Sequence, residues 1–159
     1  MNLGDLSVGG ELWVRIIRHA ESDYPGECCG VALACQVRQD EIVDLIPCRN
    51  AEDEFHTRDP EHFPRTSASA YFIDPKDLLK IEQICREQRK LVRLVYHSHP
   101  DAEAYFSDED VRQSVMDGEP LMPDAWQLVV SVKDGTLASH KTFRWDTAGC
   151  YALVNASNG

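Results

Sequence analysis

The sequence predicts an α/β domain with a mixed β-sheet flanked by helices. Three observations carry this. Apolar runs of strand length recur at 31–35, 42–47, 91–96, 126–132 and 137–145. Stretches with helical apolar spacing, 10–22 and 75–90, lie among them. No internal repeat or linker divides the chain, so helices and strands belong to one core.

Taken in order, Leu12, Trp13, Ile16, Ile17 and Ala20 give a helix with one apolar face, stopped by Asp23-Tyr24-Pro25-Gly26. Val31 to Cys35 is a buried strand, and Ile42 to Pro47 pairs back on it after a polar turn. Arg49 to Ser69 is polar, holds Pro60 and Pro64, and is expected to be a long loop. Tyr71 to Ile73 is a short strand. Asp74-Pro75 opens a helix, with Asp as N-cap and Pro at the first helical position. Leu91 to Tyr96 is a strand buried on both faces. A helix from Ser107 runs to about Gly118, and a hairpin over 126–145 turns at Lys133-Asp134-Gly135-Thr136. The domain is expected to occupy 1–146, leaving 147–159 as a frayed C-terminal tail.

The formal net charge of −11 disfavours nucleic acid and anionic membrane as partners. No apolar run approaches the ~20 residues of a membrane span. The N-terminus has neither the basic start nor the apolar core of a signal peptide, so the cytoplasm is the expected compartment. The six cysteines form no C-x-x-C pair and are read as buried or half-buried thiols.

Chemistry concentrates at Tyr96-His97-Ser98-His99-Pro100. His97 and His99 point to the same side of an extended chain, and Pro100 turns the chain away. Ser107-x-x-Asp110 reads as a capping box that fixes where Asp110 points. Two imidazoles and a returning carboxylate suit a catalytic zinc site with an open fourth position. Asp108 and Glu109 are expected to be solvated. Glu27 is alone a loop carboxylate, but a zinc hydrolase needs a base beyond its ligands.

Glu27, His97-x-His99-Pro100 and Ser107-x-x-Asp110 together resemble the JAMM motif of the MPN (JAB/Mov34) metalloproteases, in order and at that family's spacing. Tyr24-Pro25-Gly26-Glu27-Cys28-Cys29-Gly30, Asn50-Ala51 and Phe72-Ile73-Asp74-Pro75 resemble its small bacterial members. These are similar to peptidases that cleave an adduct from the C-terminus of ubiquitin-like sulfur-carrier proteins. The resemblance implies a JAB/MPN fold, cytidine-deaminase-like in outline, although the deaminase pattern His-x-Glu with Pro-Cys-x-x-Cys is absent. It implies zinc on His97, His99 and Asp110. Glu27 would be general base and then acid, and Ser107 a donor to the oxyanion. The implied substrate is the C-terminal glycine tail of a ubiquitin-like carrier. The alternatives are a JAMM peptidase of a phage-tail or cell-wall system and a non-catalytic MPN scaffold; scaffolding members lack the metal residues present here. The segment between Asn50 and Phe72 is longer than in the small bacterial members and is expected to read the substrate or cover the site. Its His56 and His62 are read as surface residues. The oligomeric state is open.

Overall fold

The computed structural model describes residues 1–158. Two short strands, β1 (Asn2–Leu3) and β2 (Leu6–Val8), precede helix α1 (Gly10–Asp23). Strands β3 (Cys29–Cys35) and β4 (Arg38–Cys48) form the first long hairpin. Helices α2 (Glu52–Arg58) and α3 (Pro75–Gln88) follow, then β5 (Lys90–Pro100) and α4 (Asp108–Ser114). A small hairpin, β6 (Val115–Met116) and β7 (Glu119–Pro120), leads to β8 (Trp126–Lys133), β9 (Thr136–Trp145) and β10 (Tyr151–Asn158).

Eight strands form one mixed sheet in the order β1-β2-β4-β3-β5-β8-β9-β10. The two parallel pairs are β2 with β4 and β5 with β8. Side chains alternate along each strand, so successive residues feed opposite layers. Ala32, Leu94, Tyr96 and Leu128 pack with Ile16 and Ala20 of α1. Val31, Leu33 and Val95 pack with Ile81 of α3. This two-sided covering explains the near-continuous apolar character of β5.

Local chemistry accounts for the boundaries. Asp74 caps α3 by accepting from the Lys76 amide at 2.9 Å, and Pro75 stands at its start. The β8–β9 turn places Asp134 (φ 50°) and Gly135 (φ 75°) in the left-handed region, the signature of a tight hairpin turn. All six cysteines are free thiols; Cys28, Cys29 and Cys48 are buried and Cys150 is exposed. None of the described helices is long and apolar enough to cross a membrane.

Four expectations change. The tail does not fray: Tyr151–Asn158 pairs antiparallel with β9, so the sheet extends past residue 146. Phe106 and Phe143 pack on Tyr151 and anchor it. The expected loop at 49–69 contains α2, and Phe55, Phe63 and Phe72 cluster with ring centroids 4.8–5.1 Å apart. The strand at 71–73 reduces to a single bridge, Asn50 to Ile73. The helix from Ser107 ends at Ser114 and gives way to the β6–β7 hairpin.

Gly30 lies opposite Tyr96 in the β3–β5 pair, where a Cβ would stand 2.4 Å from the phenol ring. Tyr96 is itself held, its hydroxyl 2.8 Å from His19 Nδ1. Gly30→Ala therefore forces the Tyr96 ring out of its packed position. The expected loss is about 2–3 kcal/mol, read as a lower urea midpoint with little change in slope.

Candidate active site

His97 and His99 lie within β5, not beyond it, because the strand runs to Pro100 beside β8. Both point to the α3 side of the sheet, in alternation with Tyr96 and Ser98. His97 is fully buried and stacks on Tyr71, centroids 4.4 Å apart and planes inclined by 25°. Its Nε2 lies 3.2 Å from Nε2 of His99. Asp110 completes the group, with Oδ1 3.2 Å from His97 Nε2 and Oδ2 3.4 Å from His99 Nε2.

Asp110 reaches this point because α4 starts with a reciprocal capping box. Ser107 Oγ accepts from the Asp110 amide at 3.1 Å, and Asp110 Oδ2 accepts from the Ser107 amide at 2.7 Å. Capping uses a lone pair of the Ser107 oxygen and leaves its hydroxyl hydrogen free to donate. The connection from Pro100 to Ser107 is tied down as well. The Asp101 amide donates to Val132 O at 2.8 Å, and the Asp101 carboxylate accepts from the Tyr24 hydroxyl at 2.7 Å. Ser131 Oγ donates to Ala102 O at 2.6 Å.

The donor set fits a metal ion. Ligand atoms of His97, His99 and Asp110 lie within 4.8 Å of one another. His99 Nδ1 is 3.0 Å from Glu103 O, and a carbonyl only accepts, so the His99 proton sits on Nδ1 and a lone pair faces inward from Nε2. Tetrahedral zinc with bonds of about 2.0–2.1 Å separates two ligand nitrogens by roughly 3.3 Å, close to the spacing here. His97 Nδ1 is buried without a partner. Burial lowers the His97 pKa against the pull of Asp110, which favours the neutral ligand form. Burial works against the Asp110 carboxylate, but the two imidazoles outweigh it and hold its pKa below the usual range.

Glu27 enters through the register of β3 on β5. Cys29 stands opposite His97, the Cys28 amide donates to Ser98 Oγ at 2.8 Å, and the Ser98 amide donates to Cys28 O at 3.2 Å. One residue further on, Glu27 falls beside His99. Its amide donates to Ser67 O at 2.7 Å, and its carbonyl accepts from Asn50 Nδ2 at 2.9 Å. The side chain is 5% exposed and Oε2 has no partner. Burial and the neighbouring Asp110 charge, opposed by Arg65, push its pKa up to about 9. At neutral pH, with no metal bound, this carboxyl carries a proton.

Glu27, His99 and Ser107 open on one cleft of about 130 Å³, whose other walls include Arg65, Ala68, Ala102 and Tyr105. His97 and Asp110 adjoin it through His99, their ligand atoms lying within 4.8 Å of one another. The five residues singled out in the sequence thus converge. His56 and His62 do not: His56 Nδ1 bonds to Phe63 O at 2.6 Å, His62 pairs with Asp59, and neither belongs to the metal-ligand group.

Glu109 corrects an expectation. It is 8% exposed, not solvated, and is paired with Arg112 at 2.5 Å. Gln113 bridges it to Glu52, whose side chain is fully buried. Asn50 is a further positioning residue. Its amide nitrogen serves Glu27 O and Ala70 O, and its oxygen accepts from the Glu52 and Phe72 amides at 3.0 and 3.1 Å. Asn50-Ala51 stands out in the sequence by resemblance, but nothing in its local pattern announces three long-range bonds.

The profile of prokaryotic homologs of the JAB domain matches residues 10–146. The chain is 30% identical over 129 residues to the CysO-cysteine peptidase of Mycobacterium tuberculosis, covering 81% of this chain and 75% of that one. It is 32% identical over 98 residues to the tail tip assembly protein K of Escherichia phage N15, covering 62% of this chain and 32% of that protein. A solution structure of a protein from Desulfitobacterium hafniense shares the fold with a TM-score of 0.68 and 19% identity, covering 93% of this chain and 88% of that one. The convergence of the motif residues and the family match over 10–146, which spans the five central strands of the sheet, agree, and the chain belongs to the prokaryotic JAB-domain family.

Proposed function

We propose that this chain is a zinc-dependent peptidase that hydrolyses the bond after the C-terminal glycine of a ubiquitin-like sulfur-carrier protein. The observation that carries the reading is the meeting of a buried His-His-Asp group with a proton-holding carboxyl, Glu27, at one cleft. The name of the mycobacterial relatives supports a carrier adduct as substrate. Ala68 and Ala102 leave room for a glycine-ended tail lying extended in the cleft.

His97, His99 and Asp110 would hold the zinc. When bound there, zinc supplies Lewis acidity, which polarises a scissile carbonyl and acidifies water. Its positive charge would also lower the affinity of Glu27 for a proton. Glu27 then accepts a proton from the attacking water and delivers it to the leaving amine. Ser107 donates its hydroxyl hydrogen to the carbonyl oxygen as negative charge builds there; one such donor is commonly worth about 3 kcal/mol of barrier. The cytoplasm is the proposed compartment. A peptidase of the phage-tail kind is the second reading. It rests on the match to protein K, of which this chain spans only 32%.

Mass spectrometry of a sulfur-carrier protein extended past its terminal glycine, after incubation with zinc-loaded enzyme, tests the reading. Cleavage directly after the glycine is expected; an intact substrate would sink it.

Zinc should bind at one equivalent per chain, and Asp110→Asn should weaken binding at least ~10-fold, because it removes a ligand charge from a buried site. Metal titration with a competing chelator reads both. Glu27→Gln should retain zinc but lower kcat by roughly 10²–10⁴-fold, the usual contribution of a general base. Steady-state kinetics at matched zinc content checks this.

A pH effect follows for the metal-free protein. Folded Glu27 holds its proton up to about pH 9, whereas its ordinary pKa is 4.5. Between those values the folded state binds more protons, so this group's contribution is fully present below pH 4.5 and is lost as pH rises toward 9. Metal-free Glu27→Gln lacks this slope. Thermal melts should show it more stable than metal-free wild type at pH 8, with the gap closing by pH 4.

A further inference from the structure

Arg65 is an exposed cation on the wall of the cleft. Glu27 and Ser107 stand in the same cleft, with Asp110, Glu109 and Glu52 behind them. Other arginines near this end are taken: Arg49 pairs with Glu54 and Asp74, Arg58 with Glu54, and Arg112 with Glu109. Arg65 forms no ion pair among the described residues. One guanidinium nitrogen, Nη1, donates to Ser69 O at 3.2 Å. The turn that carries it is braced. Asp53 accepts from both the Ser67 amide and the Ser67 hydroxyl at 2.7 Å, and Ser67 O accepts from the Glu27 amide. The backbone two residues beyond Arg65 is therefore tied directly to that of Glu27.

Resting on the peptidase reading above, we propose that Arg65 binds the free α-carboxylate of the leaving group, so that the enzyme releases a single C-terminal amino acid. Among the described residues, Arg65 is the one guanidinium or ammonium group lining the cleft, on a chain whose net charge is −11. A guanidinium meets a carboxylate through two parallel N–H donors, a geometry suited to this ligand. A lysine side chain of an acceptor protein would bring an amine with no carboxylate beside it and would gain nothing from Arg65. In the reaction water adds across the scissile amide. The C–N bond breaks, the carrier keeps its glycine carboxylate, and the amino acid leaves as its amine with its own carboxylate on Arg65.

The test uses two substrates, a carrier extended by one alanine as the free acid and the same adduct as the terminal carboxamide. Zinc-loaded wild type should prefer the acid by at least ~10-fold in kcat/KM, the size expected for charge-assisted hydrogen bonds. In Arg65→Ala the ratio should fall to near one, and Arg65→Lys, which keeps the charge but loses the fork, should fall between. Equal rates on acid and amide in wild type, or a preference that survives Arg65→Ala, would overturn the carboxylate assignment and leave the peptidase reading standing. Cleavage of neither substrate by wild type would overturn both.

Discussion

The pairing of β3 with β5 sets which chemistry meets which. Cys29 opposite His97 carries Glu27 to His99, and a slip of one residue would turn both histidines to the other face of the sheet. Two contacts hold the register. Gly30 admits the Tyr96 ring where any side chain would collide. Ser98, the residue between the histidines, exchanges hydrogen bonds with both backbone groups of Cys28. Its side chain points away from the cleft, yet it fixes the segment from which Glu27 extends.

That register brings acids together. Glu27, Glu52, Glu109 and Asp110 share one end of a chain that is already strongly negative. Burial makes each charge costly unless it is paired, protonated or met by a cation. The four solve this differently. Glu109 takes Arg112, Asp110 takes the two imidazoles, and Glu27 keeps a proton. Glu52 accepts from Gln113 and leaves its other oxygen unpartnered. A packed apolar cluster would be easier to stabilise. The sheet instead concentrates unmet electrostatic demand at the mouth of one cleft, as functional sites commonly do.

Much of this was legible in the sequence because the signals are local. Two histidines two apart on a strand share a face by geometry alone, and Ser107-x-x-Asp110 specifies a helix start that aims its own carboxylate. The parts that were not legible depend on distant partners. β1 and β2 have two and three residues, too few to show a period of two. Strand β10 has weak apolar alternation and exists because β9 offers an edge and Phe106 and Phe143 a surface for Tyr151. Glu109 reads as solvated from its place on a short helix, and is buried beside Arg112 and Gln113, the latter reaching Glu52 of α2. Cys28 and Cys29 beside the base invite a nucleophilic reading, but burial pushes the Cys28 thiol up to about 12 and Cys29 well above its usual value, so both are inert core groups.

The segment between Asn50 and Phe72 makes the same point from the other side. Its sequence looks like loop, with prolines and mixed charges. Its three phenylalanines give it a small core, and Asn50 closes its base by bonding both ends, Glu52 and Phe72, as well as Glu27. From Asp53 through Ser67 to the Glu27 amide runs a continuous set of hydrogen bonds. A segment joined in this way is a wall of the cleft, tied to the backbone of Glu27. Under the proposed peptidase reading, a substrate group touching it would be read at a fixed distance from that carboxyl, which is what discrimination in the transition state requires. Lengthening a free loop would have added surface without that coupling.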